Sequence, residues 1–232
     1  MIKANLLRLA FLFLVTVFAG GAVPAYAENT THYVSTEELP PQALPPPPAE
    51  GSAGWQKNID GVLRSQLIMN SEDLQEMKDE QQIRIGIMTD HVGKDFTAKK
   101  YPHTFRLLQN VYEDCGRIIN ADKYFWQTRR PYLTQRQVRL LIDPLGNNPS
   151  YPSGHAAASQ VLAEVLSMLY PNRAEEFHAR ADKIAEHRVE AGVHYPVDIE
   201  GGKILAAKFV DKLKTSSAFK ADLAAAKREV RH

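Results

Sequence analysis

The sequence predicts an all-α helical bundle, on three observations. Apolar residues recur three and four positions apart in nearly every segment between Ile59 and Leu213. Prolines and glycines stand where such segments would begin or end. No stretch alternates apolar and polar residues over a useful strand length, and there is no internal repeat or glycine-rich nucleotide loop. A chain of 232 residues, 44% of them hydrophobic, is long enough for one domain with a substantial core. Its formal net charge of +1 argues against a general nucleic-acid or membrane-surface binder.

The elements follow in order. Lys3 and Arg8 precede an apolar run from Leu9 to about Val23, and Ala25-Tyr26-Ala27 has the small-x-small pattern of a cleavage site. Residues 1–27 therefore read as a cleaved secretory signal, too short and wrongly flanked for a retained membrane anchor. Residues 28–54 are polar and proline-rich, with Leu44-Pro45-Pro46-Pro47-Pro48 at their centre. Such a segment is extended, either as a disordered linker or as a strap across the domain or a partner subunit. Residues 55–232 read as one helical domain.

Within that domain Ile59, Val62, Leu63 and Leu67 share a helix face. Ser71-Glu72-Asp73-Leu74 looks like a capped helix start whose apolar face continues through Met77, Ile83 and Ile87. After a polar loop, Pro102 opens a stronger helix through Leu107, Leu108, Val111, Ile118 and Ile119, and helical character persists to Arg130. Turn signals from Thr134 to Pro149 mark a loop. Helices then follow from Pro152-Ser153 to Pro171, from Asn172 to Gly192, from Pro196 to Leu213, and from Phe219 to Val230. The single cysteine, Cys115, sits at helical spacing from apolar neighbours and reads as a buried thiol.

Three polar islands stand between Lys123 and Asp198, and they carry the chemistry. A phosphate monoester needs cations and oriented donors around its equatorial oxygens. Arg130 and Arg188 offer forked donors, and Lys123 a point charge. Lys123 and Arg130, two helical turns apart, could share one helix face. Ser153 and Gly154 stand at a predicted helix N-terminus, where free N–H groups and the dipole favour an anion. Asp198, four residues after His194, can hold one imidazole nitrogen and leave the other basic. His155 supplies a second imidazole. The remaining histidines, His32, His91, His103, His178, His187 and His232, show no comparable partners and read as surface or packing residues. No ligand-spaced cluster such as H-E-x-x-H occurs, so neither metal nor cofactor is expected.

Lys123-x6-Arg130-Pro131, Pro152-Ser153-Gly154-His155 and Arg188-x5-His194-x3-Asp198 resemble the three-part signature of the type 2 phosphatidic acid phosphatase and vanadium haloperoxidase superfamily. The secretion signal, the proline strap, Tyr151 and the tail from Ala218 to Lys227 extend the likeness to the bacterial class A nonspecific acid phosphatases. The resemblance implies a helical fold and a metal-free site. It makes His194 the nucleophile, Asp198 its orienting partner and His155 the acid, with Lys123, Arg130, Ser153, Gly154 and Arg188 holding phosphate. It also implies a periplasmic or secreted homodimer or larger assembly acting on nucleotides, sugar phosphates or aryl phosphates, with possible transfer to alcohols.

There are departures. His187 stands where the family usually has serine, Tyr132 where many members have phenylalanine, and Ile87 to Phe96 lacks the family's serine- and glycine-rich loop. Rival readings are a lipid phosphate or isoprenyl pyrophosphate phosphatase, a vanadate-dependent haloperoxidase, and a phosphate-binding module without turnover. The helices are too polar and interrupted for stable membrane insertion, which disfavours the first.

Overall fold

The computed structural model describes residues 30–230, apart from Ile83, His91, Lys94, Asp95, Pro144, Leu145 and Asn147. The expected signal, 1–27, lies outside the described residues, as do His91, His232 and Ile83. Helices and loops make up everything described, with no strand among the described residues.

The buried centre is α6 (Gly154–Leu169), an alanine-rich helix whose Ala156, Ala157, Ala158, Val161, Leu162, Val165 and Leu166 are shielded from solvent. Small residues at its start let its neighbours approach closely. Those neighbours are α4 (Pro102–Trp126), α7 (Ala174–Glu190) and α8 (Pro196–Thr215). They bring Leu107, Val111 and Ile118, then Phe177 and Ile184, then Leu205, Phe209 and Leu213, into one core. Each such side chain contributes about 1.5–3 kcal/mol by leaving water. α9 (Ser217–Glu229) closes the far side of α4, with Phe219 buried. α1 (Ala53–Ile68) packs on α7 and α8, while two short helices, α2 (Asp73–Asp79) and α3 (Gly86–Thr89), lie against α7. A four-residue helix, α5 (Pro131–Thr134), follows Arg130.

The proline-rich strap is anchored on its own domain. Asp114, buried on α4, accepts the backbone N–H groups of His32, Tyr33 and Val34 at 3.1, 2.6 and 3.0 Å and also pairs with Arg117. Tyr33, Val34, Leu39 and Leu44 join the core. Further along, the Tyr151 hydroxyl donates to Pro45 O at 2.7 Å.

Several local expectations are corrected. Lys123 and Arg130 do not share a helix face: α4 stops at Trp126, Gln127 takes left-handed φ 53°, and Arg130 is extended at φ −78°, ψ 155°. The chain doubles back there, and Ser150 N–H and Tyr151 N–H donate to Thr128 O and Oγ1 at 2.9 and 2.8 Å. Ser71 does not cap α2; the N–H of Glu72 is met instead by Asn70 Oδ1 at 3.1 Å. The apolar face expected to run from Met77 to Ile87 is split between α2 and α3.

Candidate active site

Two close approaches aim the third island at the second. A Cβ on Gly202 of α8 would stand 2.7 Å from Ser153 O and 2.9 Å from the Ala156 methyl, and one on Gly201 would strike the Tyr151 ring. Only glycines let α8 lie this close to the start of α6. The crossing places Asp198 O where Ser153 N–H donates to it at 2.9 Å. The turn before α8 needs a glycine too. Gly192 has φ +76°, and a Cβ there would meet Arg139 O at 2.3 Å. That turn folds Val193 N–H and His194 N–H back onto Arg188 O at 3.2 and 3.1 Å, so the end of α7 presents His194 directly.

His194 is buried, and its two ring nitrogens have different surroundings. Nδ1 lies 3.1 Å from Asp198 Oδ2. That same oxygen accepts the Ser150 hydroxyl at 2.5 Å and Tyr195 N–H at 2.9 Å. A carboxylate so fixed puts the imidazole proton on Nδ1 and leaves the Nε2 lone pair outward. Arg130 Nη1 approaches Nε2 at 3.2 Å while donating to Val193 O at 2.8 Å. The rest of that guanidinium is held by Asn148, through its backbone O at 3.0 Å and Oδ1 at 2.5 Å. Lys123 Nζ donates to Pro149 O and Ser150 O at 2.7 and 2.9 Å, leaving one N–H for a ligand.

Arg188 is 1% exposed. Its Nη2 donates to Met77 O at 3.1 Å and Glu80 Oε2 at 3.0 Å. Its Nε and Nη1 are buried without a hydrogen-bond partner among the described residues. Buried donors of a charged group are seldom left so, and an oxyanion is what they fit. His155 is tied to the same acid from another direction, its Nε2 lying 2.9 Å from Glu80 O. A carbonyl can only accept, so Nε2 carries a proton and Nδ1 is the nitrogen free to exchange one.

Seven of the eight residues singled out in the sequence are thus joined in one network, with Gly154 beside Lys123. His155 reaches Arg188 through Glu80, Arg188 reaches His194 through its carbonyl, and His194 reaches Asp198 and Arg130. Lys123 and Ser153 join through Ser150 and Asp198, and a Cβ on Gly154 would lie 4.0 Å from Lys123 Cε. Ser153 N–H donates to Asp198 O, and its Oγ caps α6 by accepting Ala156 N–H at 3.3 Å, which leaves the side-chain O–H as its remaining donor. The open backbone donors are those of Gly154 and His155, the first in the helix.

Burial first, and neighbouring charge second, set the proton affinities. Burial, then Arg130, Lys123 and Arg188, hold His194 well below an ordinary imidazole. Burial, then Arg188 and His194, do the same to His155. Burial lowers Lys123, with Arg130 adding to the effect. Arg188, brought down by burial to about 10, remains a cation at neutral pH.

Sequence reasoning missed Ser150, Asn148 and Glu80. Ser150 is two residues before the second island and could have been read with it, but Glu80 lies in an acid-rich stretch where nothing marks one carboxylate above another. His187, read as surface or packing, is fully buried between Glu80 and Asp73.

Comparison with known proteins agrees with this architecture. Residues 111–210 match the PAP2 superfamily. A non-specific acid phosphatase of Salmonella typhi is 30% identical over 195 residues, covering 81% of this chain and 78% of that one. The chain belongs to the non-specific acid phosphatases. These are phosphoric monoester hydrolases of the PAP2 superfamily. A second relative of this phosphatase, from Providencia stuartii, is 28% identical over 194 residues, 80% of this chain and 78% of that one. Among solved structures, a bacterial vanadium-dependent iodoperoxidase superposes with a TM-score of 0.56 at 21% identity, over 73% of the phosphatase and 52% of its own chain. Aquifex aeolicus LpxE gives 0.51 at 21% identity, over 68% and 95%. Those two likenesses establish a shared helical fold.

Proposed function

We propose that this chain is a secreted acid phosphatase that hydrolyses small phosphate monoesters through a phosphohistidine on His194, with no metal in the chemistry. The observation that carries the reading is the pairing of an outward Nε2 lone pair, fixed through Asp198, with the adjacent cations Arg130, Lys123 and Arg188. Arg188 Nε and Nη1, the third Lys123 N–H, and the N–H groups of Gly154 and His155 take the phosphoryl oxygens. Arg130 Nη1 turns from Nε2 to an oxygen as phosphate enters. Nε2 attacks phosphorus, the P–N bond forms as the ester P–O bond breaks, and the departing oxygen takes a proton from His155 Nδ1. Neutral His155 then accepts a proton from water, whose oxygen attacks phosphorus and releases His194. An alcohol in place of water gives phosphotransfer. Nucleotides, sugar phosphates and aryl phosphates fit this scheme. Secretion rests on the signal-like residues 1–27. No helix among the described residues is long and apolar enough to cross a membrane.

The test is rapid quenching into alkaline detergent with a phosphorus-labelled aryl phosphate in excess chelator. The expected result is label on residue 194, acid-labile and alkali-stable. In His194→Ala the label should vanish and turnover should fall at least about a thousandfold. Near-full turnover by that variant, or abolition of wild-type activity by chelator, would overturn the reading.

A further inference from the structure

The surroundings of His187 were not legible in the sequence. The residue is fully buried on α7. Its Nδ1 lies 2.8 Å from Glu80 Oε2, which places the ring proton there. Nε2 then carries a lone pair. It has no hydrogen-bond partner among the described residues, and the nearest carboxylate oxygen, Asp73 Oδ2, is 3.8 Å away. Glu190, three residues on and so on the same helix face, has a buried Oε2 that is also unpartnered. The ligating atoms of Asp73, His187 and Glu190 lie within 4.8 Å of one another. Lys183 Nζ meets Asp73 from one side, but the His187 lone pair and the buried Glu190 oxygen have no hydrogen-bond partner among the described residues, and a cation between the three residues answers them together.

We propose that His187 Nε2, Asp73 and Glu190 bind one divalent transition-metal ion, zinc the best fit, clamping α2 to α7. One nitrogen and two carboxylates suit zinc, with water completing the shell and cobalt as a ready substitute. The Glu80 carboxylate on Nδ1–H is the outer partner that ligating histidines commonly have, and it sets the tautomer the metal requires. Ligand atoms around zinc stand roughly 3.4 Å apart, so the cluster closes by about an ångström on binding. Lys183 Nζ, now 2.5 Å from Asp73 Oδ2, is 39% exposed and can swing into water. The ion touches neither His194 nor His155. It tightens the two helices that carry Glu80 and Arg188 into the active site, so its effect is on stability rather than on the reacting atoms.

The mature chain, stripped with chelator and dialysed, is titrated with zinc chloride by calorimetry and followed by thermal unfolding. One ion per chain, micromolar or tighter, and a Tm gain of several degrees are expected. Cobalt should give the visible absorption of a four-coordinate site. Asp73→Asn and Glu190→Gln should each weaken binding by at least about tenfold. His187→Ser should abolish it, and where that variant does not fold the two carboxylate variants decide. Turnover with and without zinc should agree within about twofold, so the outcome is independent of the phosphohistidine reading. Absence of one-to-one binding, or binding undiminished in both carboxylate variants, overturns the proposal.

Discussion

The proposed mechanism sets two buried imidazoles beside the phosphate, and both begin with lowered affinity for protons. Burial and the neighbouring guanidinium groups depress His155 and His194 alike, so the ligand-free site favours the neutral form of both. Neutrality suits His194 as nucleophile and fails His155 as acid. A phosphate monoester loses its second proton near pH 6. A monoanionic substrate can therefore bring the missing proton, passing it to His155 Nδ1 once the phosphate charge has offset the cations. The alkaline limb of kcat/KM should then follow the substrate's second pKa. Across aryl phosphates whose second pKa spans about one unit, the limb should move by about the same amount. A limb fixed at one pH for every substrate would place the proton on an enzyme group instead. At this scale the sequence was legible where residue type and spacing were both unusual, as in Arg188-x5-His194-x3-Asp198. Ser150 and Glu80 gave no such signal, because a serine or glutamate acquires its role from what the fold sets beside it.

Helices were the legible elements, since burial of one face imposes a period on the sequence. The helix from Pro102 was read through Gly116 correctly, yet its end was read too late. Helical spacing continues past Trp126, and only the left-handed Gln127 breaks it. The site depends on that break, which turns Arg130 back toward His194. The α6–α8 crossing was equally hidden, because Gly201 and Gly202 look like weak helix positions until the partner helix is known. Gly202→Ala should drive a methyl into Ser153 O and the Ala156 side chain, neither of which is the end of a flexible chain. A loss of about 1–3 kcal/mol in stability is expected. kcat/KM should fall at least about tenfold as Asp198 shifts from Ser150. Gly116→Ala is the control: a Cβ there has nothing within 4 Å, so denaturation should show stability raised by up to about 1 kcal/mol with unchanged kinetics. Equal effects of the two changes would mean the close crossing does not position the site.

At the scale of the whole molecule, the buried cluster of lysine and imidazoles makes stability depend on pH. Lys123, His155 and His194 all have folded-state proton affinities below those of the unfolded chain. The unfolded chain therefore binds more protons, and these groups contribute stability that is lost as pH falls. For Lys123 the loss begins below its unfolded value near 10.5, and for the histidines below about 6.5. Phosphate reverses the sign by giving each cation a partner. The complex should then hold about one proton more than the free enzyme plus phosphate dianion. Inorganic phosphate in excess should raise Tm more at pH 5 than at pH 8. Calorimetry in buffers of different ionisation enthalpy should show uptake of about one proton per phosphate at pH 8. That uptake should approach none near pH 5, where the ligand arrives already protonated. A Tm gain that is level across this range, or proton release on binding, would mean that the imidazoles are already charged before phosphate arrives.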